Sequence, residues 1–282
     1  MGKNILLTIA YDGTRFHGWQ KQPGKRTVQG HLEQVMGRVF GQQIQLNGTS
    51  RTDAGVHAYG QRASFQADIG IPEEKIALVI NNALCAAEGS ENGRGAFAKA
   101  PVRILKAEEM AEDFHARFNA KGKEYIYRIW YGCGGNGDQV DPEAAIAMTF
   151  GRNHYYFLDG DLDAKAMNKA AQALIGTKDF KAFEASGGNP RQTTVRTIFD
   201  ARVEVVSQDG MAGELAFHIS GDGFLYNMVR IITGTLVEIG QGRRSPEEMC
   251  SIIEGADRTK AGHTAPPQGL YLAEVFYDRQ GR

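Results

Sequence analysis

The stretch from Asn47 to Phe65, N-G-T-S-R-T-D-A-G-V-H-A-Y-G-Q-R-A-S-F, sets the tightest limit on the fold. Just before it, Gln43–Leu46 alternates polar and apolar residues, which predicts a short strand. At its end, Ala58–Phe65 again reads as extended. Between them lies a polar, glycine-containing loop with one carboxylate, Asp53, flanked by Arg51 and His57. Two strands that hold a charged loop commit the chain to a sheet, and a rigid sheet is a common support for a catalytic group. The plainer alternative is that Asp53 forms a turn, as loop aspartates often do.

The flanking chain repeats one grammar. Asn4–Tyr11 predicts a buried strand, and Tyr11–Thr14 a turn. Thr27 is a candidate N-cap for a helix with Val28, Leu32, Val35, Met36, Val39 and Phe40 on one face. Pro72-Glu73-Glu74 opens a second helix that runs toward Leu84. Val102–Met110 returns as a strand. Glu124–Tyr131, E-Y-I-Y-R-I-W-Y, alternates and is aromatic, which predicts another. Asp159, Asp161 and Asp163 suit helix capping, ahead of a helix with Ala164, Met167, Ala171, Leu174 and Ile175 on its apolar face. Ala201–Val206 and Glu214–Ser220 predict a hairpin around Gln208-Asp209-Gly210. Leu225, Met228, Val229, Ile232, Leu236 and Ile239 predict a long apolar helix. Ser245-Pro246-Glu247-Glu248 reads as a capping box. A last strand ends near Tyr277. The chain therefore reads as α+β, with two related halves, 1–112 and 113–282, whose antiparallel sheets meet.

Composition limits the function. A chain of 282 residues with 42% hydrophobic and 23% charged residues is that of a globular protein with an ample core. The start has no signal-peptide pattern, and no apolar run is long enough to span a bilayer, so the expected location is the cytoplasm. Cys85, Cys133 and Cys250 fit no zinc spacing and suit a reducing compartment. Cys85 and Cys250 are expected in the core on helices, and Cys133 exposed in a Gly-rich loop. Gly132–Gly137 matches G-x-G-x-x-G, yet no helix pattern opens on its last glycine. Asp159, Asp161 and Asp163 imitate a calcium loop that lacks its glycine and its closing glutamate. No metal and no cofactor is expected. A net charge of −1 gives no basic footprint overall. The cations do cluster, at Lys21/Lys25/Arg26, Arg117/Lys121/Lys123, Arg191/Arg196 and Arg243/Arg244, as one positive face or as solvated surface charge. Phe16 and Trp19, next to basic residues, suit either an RNA-binding surface or a cap on the core.

The residues Arg51-Thr52-Asp53-Ala54-Gly55-Val56-His57-Ala58 resemble the signature of the TruA family of tRNA pseudouridine synthases. Other stretches resemble the same family: Tyr11-Asp12-Gly13-Thr14, Gly18-Trp19-Gln20, Thr27-Val28-Gln29, Phe114–Phe118, Thr193–Ile198, Phe224–Arg230 and Ala265–Leu272. One position departs from its pattern, Lys178, where the family usually has histidine before Asp179. Gly89–Gly95 and Gly132–His154 look like insertions, expected as plain surface loops. The resemblance implies two α/β-sandwich halves around a central cleft, the pseudouridine synthase fold. It implies isomerisation of uridines in the anticodon stem-loop of tRNA (positions 38–40), and a homodimer that shares the tRNA. It makes Asp53 the nucleophile, pairs it with Arg230, and gives Tyr125 the role of stacking on the target uracil, with Tyr127 structural.

The chemistry agrees with that assignment. Pseudouridine formation breaks an N-glycosidic bond, turns the base and rejoins it through carbon. One ionised carboxylate can do the covalent work. The uridine must leave its stack, and an aromatic face such as Tyr125 supplies ~1–3 kcal/mol per base. Burial raises a carboxyl pKa and a nearby cation lowers it, so Arg230 is the expected partner. Its removal should cost roughly 3–5 kcal/mol if it leaves a buried charge unpaired. Tyr125 is also a candidate in the proton relay. Arg51, Arg117, Lys121, Lys123 and Arg196 are candidates for the RNA backbone. Two competitors are an RNA-binding module without chemistry and an aspartate-based hydrolase. The first does not call for a cradled carboxylate, and the second needs a second Asp loop, which is absent.

Overall fold

The computed structural model describes residues 2–88, 100–134, 142–188, 192–209 and 212–278. The chain forms two compact units, Met1–Lys121 with Leu272–Arg282, and Gly122–Tyr271. The expected division at 112/113 therefore moves. The turn that follows Met110 and the end of the last strand both cluster with the first unit.

In the first unit, β1 (Lys3–Tyr11) lies between β3 (His57–Ala67) and β4 (Val102–Met110), antiparallel to both. Ile5, Leu6, Leu7 and Ile9 are at most 1% exposed, as expected for a central strand rather than an alternating one. Register runs from Lys3↔Ala67 to Tyr11↔Ala58, so the end of β1 meets the start of β3, next to the Asp53 loop. Helix α1 (Val28–Phe40) begins where Thr27 Oγ1 accepts from Gly30 N at 3.3 Å, and ends at Gly41 with φ +64°. It buries Val28, Leu32, Val35 and Met36, each worth about 1.5–3 kcal/mol when removed from water. Helix α2 (Glu73–Ala87) follows Pro72 at its N-cap and packs on α1 and β4.

Gln43–Leu46 is not a strand. The strand β2 is only Asn47–Gly48, paired to Ser64 and Ala63 of β3. The reason lies in α1. Leu46 N donates to Glu33 Oε1 (3.0 Å), and Leu46 O accepts from Gln29 Nε2 (3.0 Å), so helix side chains take the backbone groups a ladder would use. Ile44 and Leu46 are still buried, which is why the alternation looked like a strand.

In the second unit the sheet order is β5 (Gly122–Tyr131), β9 (Ala212–Gly221), β8 (Val195–Asp209) and β7 (Gly176–Asp179), all antiparallel. The short β6 (Tyr156–Phe157) adds to β5 in parallel. The β8–β9 hairpin is longer than expected; its tip at Gly210 lies outside the described residues. Helix α4 (Ala164–Gln172) is capped by Asp163, whose Oδ1 accepts from Ala166 N at 2.9 Å, and packs on β8 and α5 (Met228–Gly240). Helix α5 starts later than its apolar pattern, after Asn227 in the left-handed region at φ +57°. The capping box before α6 (Glu248–Gly255) is present in one half: Ser245 N donates to Glu248 Oε1 at 2.8 Å. The last strand is β10 (Leu270–Phe276).

Several expectations are corrected or fall outside the described residues. Part of the Gly132–His154 stretch forms a helix, α3 (Pro142–Gly151), rather than a plain loop. Gly89–Gly95 and Gly137 are outside the described residues. Cys133 is buried, with Sγ 3.8 Å from Trp130 O, whereas Cys250 is exposed on α6. A glycine-rich neighbourhood said nothing of what folds over Cys133, and a short helix has a wet face as well as a dry one. Among the described residues no helix is long and apolar enough to cross a membrane.

Candidate active site

The loop between β2 and β3 carries Asp53, and both of its flanks are pinned. On one side Gln61, fully buried in β3, clamps Ser50: its Nε2 donates to Ser50 O (2.8 Å) and its Oε1 accepts from Ser50 N (3.2 Å). Next along, Thr52 O accepts from Trp19 N at 3.0 Å, and Thr52 Oγ1 is 2.7 Å from the Tyr11 hydroxyl in a buried hydrogen bond. After the aspartate the chain turns tightly. Val56 N donates to Asp53 O at 3.2 Å, across Gly55 at φ +78°. Asp53 itself is half-buried, Arg51 is exposed, and His57 is 1% exposed.

The segment from Tyr11 to Gln20 wraps this loop. Gly18 sits at φ +82°, and a Cβ there would lie 2.5 Å from Thr52 O and 3.1 Å from the carbonyl carbon of Asp53. A Cβ on Gly13 would meet Val56 O at 2.0 Å. Only glycine allows such backbone contact, and at Gly18 only glycine adopts the dihedral without strain. Phe16 and Trp19 are 3% and 2% exposed, so they cap the core and offer no surface to RNA. Trp19 packs over Gly48 of β2, where a Cβ would come within 2.2 Å of its Nε1.

Behind the loop is a polar pair that the sequence reading passed over. His57 Nδ1 lies 3.3 Å from Asp12 Oδ1 and 3.1 Å from Gly13 N. Burial pushes the Asp12 carboxyl up, but hydrogen bonds from His57 and from Thr14 outweigh it and hold that carboxyl well below the usual carboxylate range. Asp12 also caps the turn at Gly13–Arg15 by accepting from Thr14 N at 2.9 Å. The sequence signal was there, since Asp12 opens a turn and His57 closes the motif, but no spacing rule links residues so far apart.

In the second unit the expected groups are Tyr125 and Arg230. Tyr125 is half-buried in β5, with its ring edge-on to Phe224 at 5.1 Å between centroids. Tyr127 is fully buried and its hydroxyl donates to Pro266 O at 2.6 Å, the structural role expected for it. Burial pushes its phenol pKa well up, against the pull of the nearby Arg230 charge. Arg230 is half-buried on α5. Its Nε donates to Ala265 O at 2.7 Å and its Nη1 to Asn227 Oδ1 at 2.9 Å. The strap before β10 thus runs along α5. A Cβ on Gly234 would lie 1.9 Å from His263 O, and Gly262 N donates to Thr235 Oγ1 at 2.9 Å.

The remaining cations divide. Lys21 pairs with Glu33 at 3.2 Å, Arg26 with Glu88, and Arg244 with Glu238 at 2.6 Å, so these act as structural ion pairs. Arg51, Arg117 and Lys121 are exposed and Lys123 is half-buried. Arg196 is turned onto its own loop, donating to Thr193 O at 3.0 Å. Lys178, the departure from the family pattern, donates to Ala173 O. Arg191 lies outside the described residues.

Comparison with known proteins places this geometry in a family. The sequence matches the tRNA pseudouridine synthase family over residues 7–119 and 170–278, which includes the Asp53 loop and Arg230 but not Tyr125. The tRNA pseudouridine synthase A of Ruminiclostridium cellulolyticum is 42% identical over 275 residues, covering 98% of this chain and all (100%) of that protein. The tRNA pseudouridine synthase A 2 of Clostridium tetani is 40% identical over 280 residues, covering 99% and 100%. The tRNA pseudouridine synthase A of Acetivibrio thermocellus is 41% identical over 275 residues, covering 98% and 100%. Similarity of this level along the whole length, together with a wrapped carboxylate loop inside the matched region, leaves one assignment: the chain belongs to the tRNA pseudouridine synthase family.

Proposed function

We propose that this protein converts uridine to pseudouridine in the anticodon stem-loop of tRNA, with Asp53 as the nucleophile. The observation that supports it most is the Asp53 loop itself. It lies inside the family match, and neighbouring segments fix both of its flanks while the carboxylate stays half-buried. A nucleophile needs that combination of fixed position and partial access. The reading gives Arg230 the task of keeping the carboxylate ionised. It gives Tyr125 that of stacking on the extruded uracil and serving in the proton relay. Arg51, Arg117, Lys121, Lys123 and Arg196 neutralise phosphates, acting on affinity more than on turnover. The working form in this reading is a cytoplasmic homodimer, which light scattering at assay concentration checks.

The test is nucleoside analysis of unmodified tRNA incubated with the purified protein, beside Asp53→Asn. The expected result is new pseudouridine in the anticodon arm with the wild type, none with the variant, and RNA binding by both. Undiminished turnover by Asp53→Asn would remove Asp53 from the mechanism. Binding without product from either protein would favour a binding module instead.

A further inference from the structure

We infer that the turn His115–Asn119 is an aromatic platform on which an unstacked nucleobase of the substrate RNA is held, with Phe118 as the stacking residue. The inference rests on the reading above only in taking the substrate to be RNA.

The turn is firmly built. Ala116, fully buried, is held from three directions: its N–H donates to Ser64 Oγ (3.1 Å), and its carbonyl accepts from Thr49 Oγ1 (3.1 Å) and from the Tyr277 hydroxyl (3.0 Å). The next residues close on His115. Its Nδ1 accepts from Arg117 N (3.1 Å) and Phe118 N (3.4 Å), and its carbonyl accepts from Phe118 N (3.1 Å) and Asn119 N (3.0 Å). Asn119 Oδ1 accepts from His115 N at 2.9 Å.

This scaffold presents a phenyl ring to water. Phe118 is 76% exposed, and hiding so large an apolar group would be the ordinary outcome of folding. The His115 ring packs against it with centroids 4.3 Å apart and planes 32° apart, and the Arg117 guanidinium carbon lies 5.9 Å from its centroid. An exposed ring, backed by a tilted imidazole and beside an exposed guanidinium, is what an unpaired base with its phosphate would complement. Glu112 and Asp113 are also exposed on the same connection, which disfavours a site that works by phosphate attraction alone and leaves stacking as the main interaction. Rigidity matters because a pre-formed ring loses little freedom on binding.

The experiment compares wild type, Phe118→Ala and Phe118→Trp for binding of unmodified tRNA and for pseudouridine formation. Phe118→Ala should raise Kd roughly ten-fold, the loss of one stacked base, with turnover at saturating RNA retained. Phe118→Trp should restore affinity, and its added emission should be quenched by tRNA but not by a perfect RNA duplex, whose bases stay stacked. An unchanged Kd for Phe118→Ala would overturn the inference. So would quenching in the Phe118→Trp protein that follows protein concentration without RNA, which would mark a contact between copies. If wild type binds through Phe118 yet makes no pseudouridine, the proposed activity fails and the platform stands.

Discussion

Asp53 and Arg230 are both charged, half-buried side chains, and each is held by a different strategy. Asp53 sits on a loop whose own backbone offers no regular hydrogen-bond partners. The loop therefore depends on other segments: Tyr11, Gly18–Trp19 and Gln61 all bind or pack against the residues around it. Arg230 sits on a helix that satisfies its own backbone, and its side chain is held by Asn227, at the start of that helix, and by Ala265 of the strap Gly262–Pro266. The two have one device in common. Where a second segment must touch backbone to backbone, the residue at the crossing is glycine: Gly18 over Thr52, and Gly234 under His263. A positioned charge on a loop needs other segments to hold its backbone as well, whereas one on a helix needs partners for its side chain alone.

That comparison can be broken at its glycines first. Gly18→Ala combines a left-handed φ with a contact of 2.5 Å to a carbonyl that has nowhere to go. It should destabilise by about 3 kcal/mol or more and abolish activity, because the first consequence is displacement of the Asp53 loop. Gly234→Ala lacks the dihedral penalty but has the deeper overlap, 1.9 Å to the His263 carbonyl oxygen, and should also cost about 3 kcal/mol. Denaturant midpoints read both, with Gly24→Ala as control, since Gly24 has φ +68° but nothing within 4 Å. A Gly18→Ala protein no worse than Gly24→Ala would mean that the wrapping segment can move aside and does not fix the loop.

The hydroxyls test the same contrast more gently. Tyr11→Phe removes a buried hydrogen bond to Thr52 Oγ1, and Tyr127→Phe a partly buried one to Pro266 O. The first should cost about 1–3 kcal/mol, as a buried partner is left unsatisfied, and the second about 1 kcal/mol. If the loop depends on many partners and the strap on few, Tyr127→Phe should lower turnover relative to stability by more than Tyr11→Phe does. Equal ratios would remove the distinction.

The smallest effect concerns pH. The folded-state pKa of Asp12 is depressed, so its pairing with His57 and Thr14 stabilises the protein above the ordinary aspartate range, near pH ~4, and that contribution is lost as pH falls below it. Asp12→Asn should therefore flatten the acid limb of the stability profile while leaving its slope above pH ~6 unchanged. An unchanged acid limb would show that the pair contributes nothing, as exposed pairs often do.

Much of this was legible in the chain. The strands β1, β4 and β5 and the helices α1, α2 and α4 follow from apolar periodicity and from local signals such as Thr27 and Asp163. Such signals act between residues a turn apart, so one sequence carries them. Gln43–Leu46 shows where that stops: its alternation was real and its burial correct, but Glu33 and Gln29 took its backbone bonds. Phe16 and Trp19 could have been surface or core by composition, and only packing made them core. Cys133 and Cys250 exchanged their expected places for the same reason.

The division is physical. The sequence alone determined the α+β class, most of the elements and the motif that carries Asp53, because propensity, capping and periodicity are local. Tertiary structure decided that Gly13 and Gly18 wrap the Asp53 loop, that Asp12 meets His57 over 45 residues of chain, and that Phe118 faces water on a fixed turn. Those contacts join residues distant in sequence, and their energies exist only once the chain has folded to bring them within reach.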